Sequence, residues 1–324
     1  MTCFHPLLAE KIHPTRRKQW NNGKAIKIHA SVDGDSNYDI AIPQLESSHL
    51  SEFFYVPCGK CIGCRIDKAR DWAVRIMCET YTSDTAWFVT LTYDDEHMDS
   101  ISLVKSDLQD FVKTVRDKVR YQYPNVKVRY FGCGEYGDRS GRRRHYHLIM
   151  WNLPNLLLMP YVHSCSKGNL LYNSDFLSEC WNKGYVVLGN VTPESAQYVA
   201  RYTLKKAGTK DYSDLDIQEP FLLMSTRPGI GFDYCMNNKD RLTTEWKILV
   251  GHAFAHVPRY FMRILEDDPY YGKRIKNHKE VLKDLSFDKN FMKELLNNRR
   301  MKDMLTSEEI HLIKEQSLHE RDNF

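Results

Sequence analysis

Two segments limit the fold more than any others in this chain. They are "VKVRYFGCGEYG", residues 126–137, and "RHYHLIMW", residues 144–151. Both are rich in β-branched and aromatic residues, and the turn-forming "GDRSG", 137–141, lies between them. That pattern predicts an antiparallel hairpin with a basic tip. Once two strands pair, the two-residue side-chain period decides which residues share a face. His145 and His147 then project side by side and Tyr146 points the other way. With the turn centred near Arg139 and Ser140, Glu135 stands across from His145.

The other elements follow from periodicity. "DKARDWAVRIMCETY" has helical spacing from about Ile66 to Tyr81, and "AWFVTLTY", 86–93, reads as a strand. "SDLQDFVKTVRDKVRYQY" predicts a helix with Ser106 as its N-cap and an apolar stripe of Leu108, Phe111, Val112, Val115 and Val119. "NSDFLSECWNKG" predicts a short helix capped by Asn173 or Ser174 and stopped at Gly184. "YVVLGNV" is a fourth strand. "TPESAQYVARYTLKKAG" is a helix with Thr192 as cap, Pro193 in its first position and an end at Ala207-Gly208.

The order strand, helix, strand, strand, helix, strand, helix predicts an α+β fold, an antiparallel sheet with helices on one face. Residues 1–57 read as irregular chain with short strands at most. Residues 1–80 form an N-terminal segment with a cysteine cluster, 81–210 the core, and 211–324 a C-terminal extension that is mostly helical and charged from about Pro258.

A chain of 324 residues with 42% hydrophobic and 27% charged residues can bury a core of ordinary size. The net charge of +4 is too small to indicate a nucleic-acid partner by itself. The local clusters "TRRKQW", "GRRRH" and "LKKAGTK" carry more information. No run approaches the ~20 apolar residues of a membrane span, and the N-terminus lacks the apolar core of a secretory signal.

Two imidazoles on one strand face can both reach a divalent ion at ~2.0–2.2 Å if a third ligand converges on them. Glu135, His145 and His147 would be a mixed nitrogen and oxygen set, suited to Mg²⁺ or Mn²⁺ acting on a phosphate. Taken alone, they also fit ordinary strand histidines beside a carboxylate. Tyr198 and Tyr202 lie four apart on the predicted helix, one turn from each other. On a helical wheel Ala196, Val199, Ala200, Thr203, Leu204 and Ala207 form the core arc. The two tyrosines fall on the opposite arc, flanked by Lys205 and Lys206. They suit half-exposed packing or a nucleophile site, in which nearby cations favour phenolate and Lys205 helps hold a phosphate.

Cys58, Cys61 and Cys64 are spaced C-x2-C-x2-C. A closed tetrahedral zinc site needs a fourth ligand, for which Cys3 is the candidate and His5 the reserve. Free thiols near a turn are the other reading. Cys78, Cys133, Cys165, Cys180 and Cys235 read as small buried apolar residues.

These residues carry a resemblance. A strand-borne His-hydrophobe-His pair followed by a tyrosine helix resembles the HUH endonucleases, which include rolling-circle replication initiators and relaxases. More narrowly, "PCGKCIGCR", "FVTLTYDDEH", "YFGCGEYG", "RRRHYHLIMW", "YVARYTLKK", "STRPGIGFDY" and "VPRYFMRIL", in this order over residues 57–265, resemble the replication initiation proteins of gokushoviruses, single-stranded DNA phages of the Microviridae. The resemblance implies an HUH endonuclease fold, with His145 and His147 as the metal pair and Tyr198 and Tyr202 as paired nucleophiles. It implies attack on phage single-stranded or supercoiled origin DNA, giving a 5′-phosphotyrosine and a free 3′-OH, then strand transfer and circle closure. Arg142, Arg143, Arg144 and Lys206 would hold the flanking backbone. No GxxxxGK[ST] stretch is present, so a host helicase and DNA polymerase would be the partners, in the host bacterial cytoplasm. Two alternatives stay open. One is a transposase or relaxase of the same chemistry. The other is a non-catalytic binder of single strands using Phe88, Tyr93, Tyr130 and Phe131.

Overall fold

In the computed structural model the described residues are 3–5, 7–12, 26–31, 51–137, 143–154, 158–160, 170–205, 217–286, 310 and 312; at 8, 10–12, 26–31, 51–55, 202–205 and 283–286 the backbone alone is described. The chain divides into two compact units, one from Lys68 to Leu282 and one formed by the residues up to Asp67 and from Lys283 onward.

In the N-terminal unit three strands pair antiparallel in the order β2-β1-β3: β1 (Leu7–Ile12), β2 (Ile26–Ser31) and β3 (Ser51–Val56). Sequence reading expects irregular chain here. Strands of six residues, set among polar segments, are too short for their alternation to stand out.

The larger unit is built on a seven-stranded antiparallel sheet. Its chain order is α1 (Ile62–Tyr81, whose first turn belongs to the N-terminal unit), β4 (Ala86–Tyr93), α2 (Lys105–Gln122), β5 (Arg129–Tyr136), β6 (Arg144–Trp151), β7 (Leu158–Pro160), β8 (Leu171–Ser174), α3 (Asp175–Trp181), β9 (Gly184–Asn190), α4 (Pro193–Lys205) and β10 (Phe221–Met224). The spatial order is β10-β5-β6-β4-β9-β8-β7. The α+β antiparallel architecture is the one expected, with β10 closing the edge beside β5.

The expectation of helices on one face alone is corrected. Every residue of β5 is buried, so both of its faces must be covered. On one face Tyr146, Leu148 and Met150 pack with Leu108, Phe111, Val115 and Val119 of α2 and with Leu177 and Trp181 of α3. On the other, Phe131, Cys133, Ile149 and Trp151 pack with Ala73, Ile76 and Met77 of α1 and with Ala196, Val199 and Ala200 of α4. Strand apolarity on both faces is visible in "RYFGCGEY", but between Tyr130 and Tyr136 one face carries only Gly132 and Gly134. Those glycines bring other groups close: a Cβ at Gly132 would stand 2.9 Å from the Leu148 side chain, and one at Gly134 2.9 Å from Phe221.

Local signals behave unevenly. Ser174 caps α3, accepting from the Leu177 N–H, and Thr192 with Ser195 forms a reciprocal cap on α4. The stop of α3 is Asn182 in the left-handed region; Gly184, at φ 146°, lies where β9 passes so close to β4 that a Cβ would meet the Thr92 carbonyl at 2.3 Å. Ser106 is not the cap of α2. The helix begins at Lys105, and the preceding Val104 is fixed by Tyr146, whose hydroxyl donates to the Val104 carbonyl and accepts from its N–H. The expected ends of the hairpin turn, 138–142, and of α4, 206–208, lie outside the described residues.

Beyond β10 the chain forms α5 (Phe232–Asn237), α6 (Lys239–Glu245), the hairpin β11 (Lys247–Val250) and β12 (Ala253–His256), α7 (Arg259–Glu266) and α8 (Pro269–Ser286). Leu242, Ile248, Phe261, Leu265 and Ile275 pack there around Val74 and Cys78 of α1. Beneath this layer Glu79 of α1 is buried against Arg129 of β5 and also accepts the Gly231 N–H at 2.6 Å.

Candidate metal and tyrosine site

The hairpin register places Glu135 opposite His145 and Cys133 opposite His147, while β4 sets Thr90 beside His147. Side-chain alternation then puts Glu135, Thr90 and both histidines on the face that α1 and α4 cover. The Nε2 atoms of His145 and His147 each lie 2.9 Å from Oε1 of Glu135. Ligand atoms of all three residues fall within 4.8 Å of one another.

The outer ring nitrogens decide what this cluster can hold. Nδ1 of His145 is 3.0 Å from the Arg143 carbonyl oxygen, which can only accept, so that nitrogen carries the proton. Nδ1 of His147 is 3.0 Å from the Thr90 hydroxyl, which can accept in the same way. In neutral rings so oriented, both Nε2 atoms present lone pairs toward a carboxylate oxygen. Three acceptors facing one point repel unless a cation or protons stand among them. This is the arrangement of metal-binding histidines, with one nitrogen on the metal and the other anchored to a carbonyl or hydroxyl. Where protons rather than a cation stand among the three, hydrogen bonds from His145 and His147 outweigh the burial that works against a charged Glu135 and hold its carboxyl far below the ordinary carboxylate range. The three residues fit a divalent cation bound by one oxygen and two nitrogens.

Tyr198 reaches the same point. Its hydroxyl is 3.3 Å from Oε1 of Glu135 and 3.4 Å from Nε2 of His147. Its ring meets those of His147 and Phe88 edge-on, with centroids 5.2 Å and 6.2 Å away. The expected core arc is present, since Ala196, Val199 and Ala200 are fully buried. Tyr198 does not lie opposite it, however. It sits at the margin of the packed face, where a side chain of this length reaches down to the sheet. Tyr202 follows one helical turn later; its side chain, that of Lys205 and all of Lys206 lie outside the described residues.

The arginines before the histidines separate. Arg142 lies outside the described residues. Arg143 is half exposed and donates to the Tyr93 carbonyl and to Asp95, both at 2.8 Å. Arg144 is corrected as a DNA contact. It is 2% exposed on the face away from the histidines, donates to the carbonyls of Ser102 and His97 and to Asp99, and lies over the Tyr93 ring. Alternation on β6 requires that placement, because Arg144 shares its face with Tyr146. Of the aromatics named for a non-catalytic binder, Tyr93, Tyr130 and Phe131 are buried and Phe88 is partly buried. Thr90 joins the site only through the pairing of β4 with β6, which the sequence pattern does not signal.

In the N-terminal unit Cys3 meets Cys58, Cys61 and Cys64. The Cys3–Cys61 and Cys58–Cys64 sulfur separations are 3.8 Å and 3.9 Å. A disulfide requires ~2.05 Å. A tetrahedron with sulfur ligands at ~2.3 Å has edges of ~3.8 Å. Backbone N–H groups of Phe4, Cys58, Lys60 and Cys61 point at these sulfurs, as they would at thiolates. Burial pulls the Cys61 thiol up, yet the backbone of Cys64 and Phe4 and the thiols of Cys58 and Cys64 bring it down to about 7. The cluster can hold a metal ion, with Cys3 in the fourth place. Cys78, Cys133, Cys180 and Cys235 are buried, as expected; Cys165 lies outside the described residues.

The family model for replication-associated proteins of the ORF2 type matches residues 86–207, which contain the whole histidine and tyrosine site. The chain is 33% identical over 322 residues to "Replication-associated protein ORF2" of Spiroplasma virus 4, covering 95% of this chain and 94% of that one. It belongs to the gokushovirus replication-associated proteins. A second member, "Replication-associated protein VP4" of Bdellovibrio phage phiMH2K, is 33% identical over 74% of this chain and 75% of its own. A third, "Replication-associated protein ORF4" of Chlamydia phage 1, is 31% identical over 65% of this chain and 54% of its own. No solved structure matches. Among the described residues of this family member no helix is long and apolar enough to cross a membrane.

Proposed function

We propose that this protein initiates rolling-circle replication of a phage genome by nicking single-stranded origin DNA with a tyrosine. The observation that carries the reading is the Tyr198 hydroxyl, 3.3 Å from Glu135 and 3.4 Å from His147. Glu135, His145 and His147 would hold Mg²⁺ or Mn²⁺, which when bound polarises a phosphate. The chain's own groups supply the rest. Arg143 and Thr90 fix the two imidazoles through their Nδ1 atoms. Phe88 and the aliphatic core beneath exclude water from one side of the cluster. The Tyr198 oxygen attacks phosphorus, the bond to the 3′-oxygen breaks, and a 5′-phosphotyrosine forms. The phenol loses one proton as the departing 3′-oxygen gains one. The phosphotyrosine conserves the energy of the broken bond, so rejoining requires no ATP.

Tyr202, one turn along α4, is the second nucleophile in this reading. It cuts the regenerated origin, and the freed 3′-OH then attacks the first phosphotyrosine and closes a circle. Lys205 steadies the phosphate, and Arg142, Arg143 and Lys206 hold flanking backbone. Host helicase and polymerase supply unwinding and synthesis in the bacterial cytoplasm. The four cysteines hold a structural zinc ion, supported by the 3.8 Å and 3.9 Å sulfur edges.

The test is incubation of the full chain with single-stranded origin DNA in Mg²⁺ or Mn²⁺. A nick with protein attached to the 5′ end supports the reading. Bound but uncut DNA would reject it.

A further inference from the structure

Helices α1 and α7 flank a half-open cavity of about 240 Å³ that belongs to neither the cysteine cluster nor the histidine site. Four cations line it, Lys68 and Arg75 from α1 and Arg259 and Arg263 from α7, together with the rings of Trp72 and Tyr260. The cationic spacings are helical ones, seven residues apart on α1 and four on α7, so each helix turns its pair to one side.

Arg75 is the built part of this cavity. Its guanidinium lies between two aromatic rings, 4.0 Å from the Trp72 centroid and 3.9 Å from the Tyr260 centroid. Its Nε donates to the Ile230 carbonyl at 3.1 Å, and the Tyr260 hydroxyl is itself fixed by the Gly229 N–H. One donor of its five is thus used to hold the group rigid, and Arg75 is part of the cavity lining. Burial lowers Arg75 only to about 10, so it is charged at neutral pH. Asp71, the carboxylate on this lining, offsets one of the four charges. Among the described residues, Lys68, Arg259 and Arg263 have no carboxylate within ion-pair distance. Such a concentration of charge around a pre-oriented guanidinium repels itself until an anion enters.

We propose that this cavity binds a backbone phosphate of single-stranded DNA, away from the scissile bond. The cavity is smaller than the ~300–1,000 Å³ of small-molecule sites, which suits one phosphate rather than a whole ligand. The cavity lies on the α1 side of the sheet, the side that also carries the histidine pair. The Trp72 ring is 5.0 Å from that of Phe131, and Phe131 precedes Glu135 by four residues on β5, roughly 13 Å along the strand. Contacts of this kind position DNA without reading its bases. The inference rests on the DNA-binding part of the proposed function and not on its chemistry.

The test uses the full chain and a labelled oligothymidylate, with affinity followed by fluorescence anisotropy across a salt series. The double variant Arg259→Gln/Arg263→Gln changes exposed side chains and should leave the circular dichroism spectrum unaltered. Its affinity should fall roughly tenfold, and its salt slope should flatten by about 0.7, for one lost phosphate contact on a single strand. Inorganic phosphate at the same concentration of charge should compete weakly, since it lacks the connected backbone; competition equal to that of DNA would identify a free-anion site and overturn the proposal. Equal affinity and equal salt slope in wild type and variant would also overturn it. Nicking separates the two readings. If the proposed chemistry fails, the difference in affinity survives with no cut. If the cavity fails, the variant cuts and binds as the wild type does.

Discussion

The hydroxyl of Tyr198 stands 3.4 Å from Nε2 of His147, across 51 positions of sequence. Both residues lie on the face of the sheet that α1 and α4 cover. The hairpin fixes His147 and the Thr192–Ser195 cap fixes the start of α4, so the distance is set by packed elements on both sides. His147→Ala should therefore abolish nicking while leaving most of the affinity for DNA, because phosphate charge dominates binding. A cleavage assay in Mg²⁺ and Mn²⁺ beside a gel shift measures both. Wild-type cutting by this variant would remove the histidine from the site.

Thr90→Val tests how the ring is oriented. Valine keeps the shape of the side chain and removes the oxygen 3.0 Å from Nδ1 of His147. Loss of such an anchor typically costs about 10–100-fold in metal affinity or activity. The expected result is a nicking rate that recovers as Mn²⁺ is raised. An unchanged metal titration would mean that the Thr90 contact does not position the ligand.

How far the sequence reached differs between these two residues. The histidine pair and Glu135 were legible because strand alternation and a short turn leave a single register. Thr90 depends on β4 lying beside β6, a long-range pairing that no local pattern encodes. The same limit explains Arg144. Its neighbours in "GRRRH" suggest an exposed basic tip, but the alternation that turns the histidines to the α4 face turns Arg144 to the other, where it is buried. Helices on the second face were missed because periodicity identifies which stripe of α1 is apolar without saying which side of the sheet it meets. The fourth cysteine was legible only as the one left over; its position comes from the fold of the N-terminal unit.

The cysteine cluster should hold about one zinc per chain when the protein is purified under reducing conditions. Cys61→Ser should lose it, and a strong chelator should increase protease cleavage near β1 before the seven-stranded sheet unfolds. Metal analysis by mass spectrometry reads the first outcome. Protein without zinc, or a Cys61→Ser variant that retains it, would reject the assignment.

Glu79 and Arg129 should matter to stability and not to chemistry. The pair is nearly sealed from solvent, with side chains 3% and 10% exposed. Glu79→Ala leaves Arg129 charged beneath the helical layer and the Gly231 N–H without its acceptor. Breaking a buried pair in this way costs about 3–5 kcal/mol. Urea unfolding should show the loss, with residual nicking per folded molecule unchanged. A variant as stable as the wild type would show that water reaches the pair.

The central claim is that a tyrosine of α4 becomes joined to DNA. Tyr198→Phe and Tyr202→Phe keep each ring and remove only its oxygen, so each single variant should still form a covalent adduct on an origin oligonucleotide and fail later, at circle closure. The double variant should form none. Mass spectrometry of the protease-digested adduct measures this most directly. The account predicts that a nucleotide is attached at Tyr198 in the Tyr202→Phe protein and at Tyr202 in the Tyr198→Phe protein. An adduct on the double variant, or one attached to Tyr93 or Tyr146, would contradict it.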